Sequence, residues 1–234
     1  MIEHNLLPIL PIGQKIQVHS AWAAFAEDVV IEDATLHLDG AEYFTWLTQK
    51  HTSTVVELTT DNQSDSFIAD AAVTSVIGQV CAVKTADCVP ILLFDAVLPK
   101  VAAIHAGWRG LANGIVANTM AYFPNPSQVQ AYIGPCISQE HFEIGQDVLD
   151  YFLETMPLSQ ALIKDFFLPS IHDEDKWCAD LSGLVAGELV RLGVSLEQIT
   201  QSGICTYSDP RLPSYRFDKT TQRMTSMVWL THSL

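Results

Sequence analysis

Three residues with metal-binding or nucleophilic side chains follow or interrupt apolar segments of the chain: His51, Cys88 and His105. Each is expected at the end of a strand, where α/β proteins place ligands. Imidazole nitrogens and a thiolate sulfur together suit Zn²⁺ or a copper ion. Three protein ligands would leave a fourth position for water or substrate, as in catalytic zinc sites. The spacings match no established ligand motif, so three separate structural side chains are the alternative.

Cys88 and His105 also allow an interpretation without a metal, as a nucleophile and its base. An imidazole beside the sulfur would favour the reactive thiolate over the thiol. Because the same two side chains serve both chemistries, residue types do not separate a metal site from a cysteine hydrolase.

Arg109 stands in a turn with two glycines, His105-Ala-Gly-Trp-Arg-Gly110, which follows an apolar run and precedes a helical pattern. The glycines allow the backbone to approach a ligand closely. A guanidinium fixed there would bind an anion through two hydrogen bonds, assisted by the first amides of the helix. In so acidic a chain, a surface ion pair explains Arg109 equally well.

Other basic and aromatic residues give weaker indications of a ligand. Near the C-terminus four basic residues outnumber their acidic neighbours: Arg211, Arg216, Lys219 and Arg223. Such a group fits an anion-facing edge or an exposed strand edge protected by charge. Trp108 and Tyr132 could stack on a flat base, although aromatic residues near strand ends belong mostly to the core.

The elements that must position these residues are clearest in the middle of the chain. Apolar or β-branched runs predict strands at residues 16–19, 29–31, 54–58, 80–84, 89–94, 101–104, 128–133, 199–206 and 224–230. Apolar residues at helical spacing predict helices over residues 111–123, 144–156 and 181–192. The predicted class is therefore mixed α/β with mixed sheets, in a single domain without a long linker.

The composition excludes several classes of protein. The 234 residues contain 12 Lys+Arg and 27 Asp+Glu, which gives a net charge of −15. So acidic a chain lacks the basic face needed for nucleic acid or for an anionic membrane. Without a signal peptide or an apolar run of roughly 20 residues, no membrane span is expected. The five cysteines show no pairing pattern and favour free thiols in a reducing cytoplasm, or a metal or catalytic role for one of them. The net charge favours a monomer or a small homo-oligomer.

Two motifs, Thr85-Ala-Asp-Cys88-Val-Pro90 and Val101-Ala-Ala-Ile-His105-Ala-Gly-Trp-Arg-Gly110, are highly specific when they occur together. With them the chain resembles the laccase-domain family, also called the polyphenol-oxidase-like or peptidoglycan-editing-factor family. The likeness covers residues 46–232 and continues through Ile133-Gly-Pro-Cys136-Ile137, Phe142-Glu-Ile-Gly145, Cys205-Thr-Tyr207 and Ser214-Tyr-Arg216.

The resemblance implies a purine nucleoside phosphorylase with adenosine deaminase activity, on a mixed α/β fold grouped with cysteine hydrolases. Its substrates would be phosphate and nucleosides of the adenosine, inosine, guanosine and methylthioadenosine class. Carried over by motif, the family's metal ligands become His51, Cys88 and His105, with zinc as the metal and copper as the older proposal. For this function we expect Arg109 to bind the anion and Asp87 to carry a proton during deamination.

The chain departs from the family in two places. Gln49-Lys-His51-Thr52 lacks the glycine that follows the family's first ligand, and residues 1–45 lack its Gly-Val-Ser loop and Asn-Arg pair. We therefore interpret residues 1–234 as one catalytic domain with a divergent N-terminal segment. If that segment helps to hold phosphate or ribose, we expect weakened activity or an altered substrate preference. Three alternatives stay open: a copper-dependent polyphenol oxidoreductase, a metal-free cysteine hydrolase that edits peptidoglycan precursors, and a nucleoside-binding module without turnover.

Overall fold

The computed structural model describes residues 21–27, 41–63 and 65–230. Their strands are β1 (Ala21–Glu27), β2 (Tyr43–Thr45), β3 (Val55–Leu58), β4 (Ala71–Thr74), β5 (Gln79–Thr85), β6 (Val89–Asp95), β7 (Val101–Ala106), β8 (Val129–Ile133), β9 (Glu143–Gly145), β10 (Phe167–Pro169), β11 (Lys176–Ala179), β12 (Ile199–Gln201) and β13 (Met224–Leu230). Their α-helices are α1 (Trp108–Ala112), α2 (Ile115–Met120), α3 (Gln146–Thr155), α4 (Gln160–Asp165), α5 (Leu181–Arg191) and α6 (Tyr215–Asp218).

A six-stranded sheet forms the middle of the domain, in the order β12-β8-β6-β7-β4-β3. Its inner strands β8, β6, β7 and β4 are antiparallel to one another, whereas the outer strands β12 and β3 are parallel to β8 and β4. The mixed α/β class with mixed sheets is therefore confirmed.

The apolar runs in the middle of the chain form this sheet because both of its faces are buried. In β6, Ile91 and Leu93 pack in the same core as the helices, whereas Leu92 and Phe94 face the core shared with β5 and β13. Successive side chains of a strand point to opposite faces, so a strand covered on both sides is apolar at nearly every position.

Two smaller sheets complete the fold. The order β1-β13-β5-β2 forms a four-stranded sheet, in which Val83 and Val228 pack against the six-stranded sheet. The antiparallel order β10-β11-β9 forms the third sheet, and its residues Ile144 and Phe167 join the core of the helices. The domain is thus layered as helices, six-stranded sheet and four-stranded sheet.

Most predicted elements occur within two residues of their expected bounds, and three differences have a clear physical cause. The helix predicted over residues 111–123 begins at Trp108 and is divided at Gly114, whose φ of +85° does not continue a helix. The helix predicted over residues 144–156 begins later because residues 143–145 pair with β11. The strand predicted over residues 199–206 ends at residue 201, before a turn at Gly203 with φ of +64°.

Three further predictions concern two N-terminal strands, the cysteines and membrane spans. The strands predicted at residues 16–19 and 29–31 lie outside the described residues. The five cysteines are free thiols, as predicted. No helix in the described part of the chain is long and apolar enough to cross a membrane.

The antiparallel order brings three distant segments to one edge of the central sheet. Because β7 runs antiparallel to both β4 and β6, its carboxyl end lies beside the amino ends of those strands. His105 is near the end of β7, Cys88 directly precedes β6, and Asp70 directly precedes β4. The loop between β2 and β3, which carries His51, approaches the same edge.

Candidate metal centre

His51, Cys88 and His105 form a cluster at this edge. Their potential ligand atoms all lie within 4.8 Å of one another, and Cys88 Sγ is 3.8 Å from His51 Nε2. The two imidazole rings meet edge to face, with centroids 4.8 Å apart. His105 is buried, Cys88 is half-buried and His51 is exposed. The start of β6, the end of β7 and the loop before β3 therefore bring together the three residues that the sequence singled out. His51 lies in that loop and not at the strand end that was expected for it.

Asp70 holds the cluster in place, and its side chain is fully buried. His105 Nδ1 donates to Asp70 Oδ1 at 2.8 Å, and the amide of His51 donates to the same oxygen at 2.9 Å. The amide and the hydroxyl of Thr52 both donate to Oδ2 at 2.7 Å, and the amide of Lys50 adds a fifth donor. With Nδ1 turned to Asp70, His105 keeps Nε2 as its ligand atom, the usual arrangement of a metal-binding histidine.

The charges in the cluster favour the metal-binding form of the thiol. Burial raises the pKa of Cys88, but the imidazoles of His105 and His51 outweigh it and bring the pKa down to about 7. Burial lowers the pKa of His105, but hydrogen bonds to Asp70 and Cys88 raise it to about 9. Burial also opposes ionisation of Asp70, yet the hydrogen bonds from His105 and Thr52 hold its pKa well below the usual value. A thiolate, which is the ligand form of cysteine, is therefore accessible near neutral pH.

Two glycines allow the turn after β7 to lie against the loop that carries His51. A Cβ atom at Gly107 would stand 2.5 Å from His51 Cδ2 and 3.2 Å from Cys88 Sγ. A Cβ atom at Gly110 would stand 2.7 Å from the carbonyl oxygen of Thr52. Gly107 and Gly110 thus allow the loop that carries His51 and Thr52 to pack closely against this turn.

Two residues of the site have left-handed backbone conformations, His51 with φ of 59° and Asp87 with φ of 79°. Residues other than glycine rarely adopt such angles, and they concentrate at functional sites. Asp87 accepts hydrogen bonds from Thr206 Oγ1 at 2.8 Å and from the amide of Arg216 at 2.7 Å. Both carboxylate oxygens of Asp87 are therefore engaged, and its role as a proton carrier stays a prediction.

The cluster lies on the wall of an open cavity of about 530 Å³, a size typical of small-molecule sites. Its wall also carries two aromatic residues, three cations and one carboxylate: Phe142, Tyr215, Lys84, Arg216, Arg223 and Asp87. The cavity can thus offer apolar faces and positive charge to a ligand beside the cluster.

Other residues considered from the sequence lie away from this cavity. Arg109 is exposed, and its guanidinium lies 4.2 Å from the ring centroid of its neighbour Trp108. Arg109 is not among the residues that line the cavity, so its binding of an anion stays a prediction. Trp108 packs edge to face against Tyr151, and Tyr132 is buried between the sheets, as core aromatic residues are.

Sequence reasoning missed Asp70. In the sequence it is one of many carboxylates in an acidic stretch, and its only distinguishing signal is its place directly before a strand. Its importance arises from contacts with residues 18 to 35 positions away, which no local pattern predicts.

The donor set fits a single metal ion. Two imidazoles and a thiolate are ligands that zinc and copper accept, and the side open to the cavity leaves room for a further ligand. Donor atoms within 4.8 Å of one another can converge on one ion with bonds of about 2.0 to 2.3 Å after small rotations.

The chain is similar to several known proteins. A family described as "Multi-copper polyphenol oxidoreductase laccase" matches residues 18–231. A protein of Escherichia coli (strain K12) named "Purine nucleoside phosphorylase YfiH" is 40% identical over 187 residues, 79% of this chain and 73% of that protein. The Haemophilus influenzae "Purine nucleoside phosphorylase" is 37% identical over 186 residues, again 79% and 73% of the two chains. A crystal structure of a Neisseria meningitidis protein matches with a TM-score of 0.73 at 38% identity, covering 81% of this chain and 76% of that chain.

Asp70→Asn is expected to weaken zinc binding by roughly 10- to 100-fold, because an amide cannot accept all five hydrogen bonds that orient the two imidazoles. Competition with a chromophoric chelator measures the affinity. Asp95→Asn is the matched control, since this buried carboxylate holds the amides of Val97 and Leu98 at the turn between β6 and β7. It should lower stability and leave zinc affinity unchanged; equal zinc affinity in Asp70→Asn and wild type would contradict the role of Asp70.

Gly107→Ala is expected to abolish stoichiometric metal binding, because the added methyl group displaces His51 and crowds Cys88. Gly114→Ala is the control in the next turn, where no atom lies within 4 Å of the added Cβ. That control should lose about 1 to 2 kcal/mol of stability through its left-handed backbone and keep its metal. Metal analysis and thermal unfolding measure both effects, and full metal content in Gly107→Ala would refute the steric argument.

Proposed function

The chain belongs to the family described as "Multi-copper polyphenol oxidoreductase laccase", and we propose that it is a zinc-dependent purine nucleoside phosphorylase that also deaminates adenosine. The observation that carries the proposal is the cluster of His51, Cys88 and His105 beside an open cavity. Relatives named as purine nucleoside phosphorylases support the substrate class. The proposed substrates are phosphate and nucleosides of the adenosine, inosine, guanosine and methylthioadenosine class.

In phosphorolysis, a phosphate oxygen forms a bond to C1′ of the ribose while the bond from C1′ to the purine nitrogen breaks. The purine leaves with the bonding electrons and takes up a proton. The protein must therefore align the anion with the ribose and stabilise the departing base. Phe142 and Tyr215 on the cavity wall offer apolar faces on which a purine can lie.

His51, Cys88 and His105 would hold the zinc ion. When bound, zinc supplies Lewis-acid polarisation of an oxygen on phosphate or water. Asp70 keeps the two imidazoles oriented by accepting hydrogen bonds from His105 Nδ1 and from the amide of His51. In deamination, Asp87 is the proposed proton carrier because its carboxylate lies on the same cavity wall.

The composition of the site favours this function over a multi-copper oxidase. Within the described residues, His51, Cys88 and His105 are the one group of three or more histidine, cysteine or acidic residues spaced to hold a metal ion. A single such group holds one ion, whereas oxidation of phenols by a laccase needs several copper ions acting together.

We also propose a cytoplasmic setting, as a monomer or small homo-oligomer that acts on small molecules. The five free thiols suit a reducing compartment, and the net charge of −15 disfavours nucleic acid and anionic membranes as partners.

Metal-quantified protein incubated with adenosine is expected to release adenine only when phosphate is present, and to form inosine with or without phosphate. Chromatography of the products measures both reactions. Cys88→Ala should lose the metal and both products, because the thiolate ligand is removed. Cys178→Ala is the matched control, since this half-buried thiol lies in β11 away from the cluster, and it should retain both.

The alternative functions give different results in the same assays. Oxidation of a phenol that needs copper and O₂ but no phosphate would favour a polyphenol oxidoreductase. Activity that survives chelation and is lost on thiol alkylation would favour a cysteine hydrolase. Nucleoside binding without any product would favour a binding module. Full phosphorolysis by metal-free Cys88→Ala protein would refute the proposal.

A further inference from the structure

Arg216 is a half-buried cation on the cavity wall that forms no ion pair with any described residue. This is unexpected in a chain with 27 acidic and 12 basic residues. Four other basic residues do have acidic partners: Lys100 with Glu57, Lys176 with Glu143 and Asp173, Arg191 with Glu188, and Arg211 with Asp209. The positive charge of Arg216 therefore has no counter-charge on the wall of the cavity that the metal cluster also lines.

Carbonyl groups hold the Arg216 guanidinium in position. Its Nη1 donates to the carbonyl oxygens of Glu143 at 3.0 Å and of His141 at 3.3 Å. The guanidinium carbon lies 5.2 Å from the ring centroid of Phe142, which also lines the cavity. Two uncharged acceptors and an aromatic ring thus fix the side chain without neutralising its positive charge.

The carboxylates of Glu143 and Asp87, two residues that contact Arg216, are both engaged by other donors. Glu143 accepts from Lys176 Nζ at 3.0 Å and from Ser170 Oγ at 2.7 Å. Asp87 accepts from Thr206 Oγ1 and from the backbone amide of Arg216, and makes no contact with the guanidinium. Lys84 lies on the same wall, so the cationic groups of Lys84 and Arg216 together favour an anion in the cavity.

We infer that Arg216 is the residue that binds the phosphate substrate, an inference that rests on the proposed function. Its Nε and Nη2 have no acceptor among the described residues, and these two donors match two oxygens of a phosphate. Because Nη1 is already anchored, little side-chain freedom is lost when the anion binds. Arg109, the candidate from the sequence, lies outside the cavity.

Arg216→Gln is expected to raise KM for phosphate by roughly 10- to 100-fold, with KM for adenosine and zinc content unchanged. Arg216→Lys should restore only part of the loss, because it keeps the charge but not the two parallel donors. Lys164→Gln, on the exposed side of α4, removes one positive charge away from the cavity and should behave as wild type. Initial rates with each substrate varied separately measure these parameters.

Several results would overturn the inference. One is an unchanged phosphate KM in Arg216→Gln, and another is a raised phosphate KM in Arg109→Gln but not in Arg216→Gln. A loss of zinc, or a parallel rise of both KM values, would show that Arg216 has a structural role only.

A failure of the proposed function is distinguishable from a failure of this inference. If zinc-loaded wild-type protein releases no adenine with phosphate, the proposed function fails. Calorimetric titration of inorganic phosphate into wild type and Arg216→Gln then tests the anion site directly. Binding to wild type that is lost in the variant supports the site, whereas equal binding or no binding to either protein overturns it.

Discussion

A buried carboxylate must be paired or fully hydrogen-bonded, and this requirement organises the edge of the central sheet. Asp70 has no exposed surface and takes its donors from residues 50–52 and from His105. To satisfy it, the loop after β2 must lie against the end of β7, which brings His51 to Cys88. The left-handed backbone of His51 and the absence of side chains at Gly107 and Gly110 are consequences of the same approach.

A second carboxylate connects the C-terminal part of the chain to the same site. Asp87 accepts from Thr206 and from the amide of Arg216, which are 119 and 129 residues further along the chain. These bonds position the segment that carries Arg216 at the wall of the cavity that the cluster also lines. Asp70 therefore fixes the metal ligands on the cavity wall, and Asp87 fixes the backbone of the segment that carries Arg216.

The sequence predicts best what depends on burial alone. Residues 80–84, 89–94 and 101–104 form strands as expected, because a sheet covered on both faces requires continuous apolar runs. Cys88 and His105 were also singled out because each adjoins such a run, whereas His51 lies in a loop and was indicated by its residue type and by the family motif. The break at Gly114 and the short strand β9 were missed because a φ angle and a pairing with β11 decide them.

The two arginines Arg109 and Arg216 show most clearly what a local sequence pattern does not predict. A glycine-flanked turn draws attention to Arg109, whereas Arg216 lies in a group of basic residues that fits two interpretations equally. What distinguishes Arg216 is a set of tertiary contacts: carbonyl groups that hold its guanidinium and neighbouring carboxylates that are paired with other donors. No local pattern reports such contacts.

We propose that His51, Cys88 and His105 bind one metal ion together. X-ray absorption spectroscopy of zinc-loaded protein at the zinc edge reports the first ligand shell directly. We predict one sulfur at about 2.3 Å and two imidazole nitrogens at about 2.0 to 2.1 Å. A first shell without sulfur, or one with two or more sulfurs, would contradict the assignment of the site.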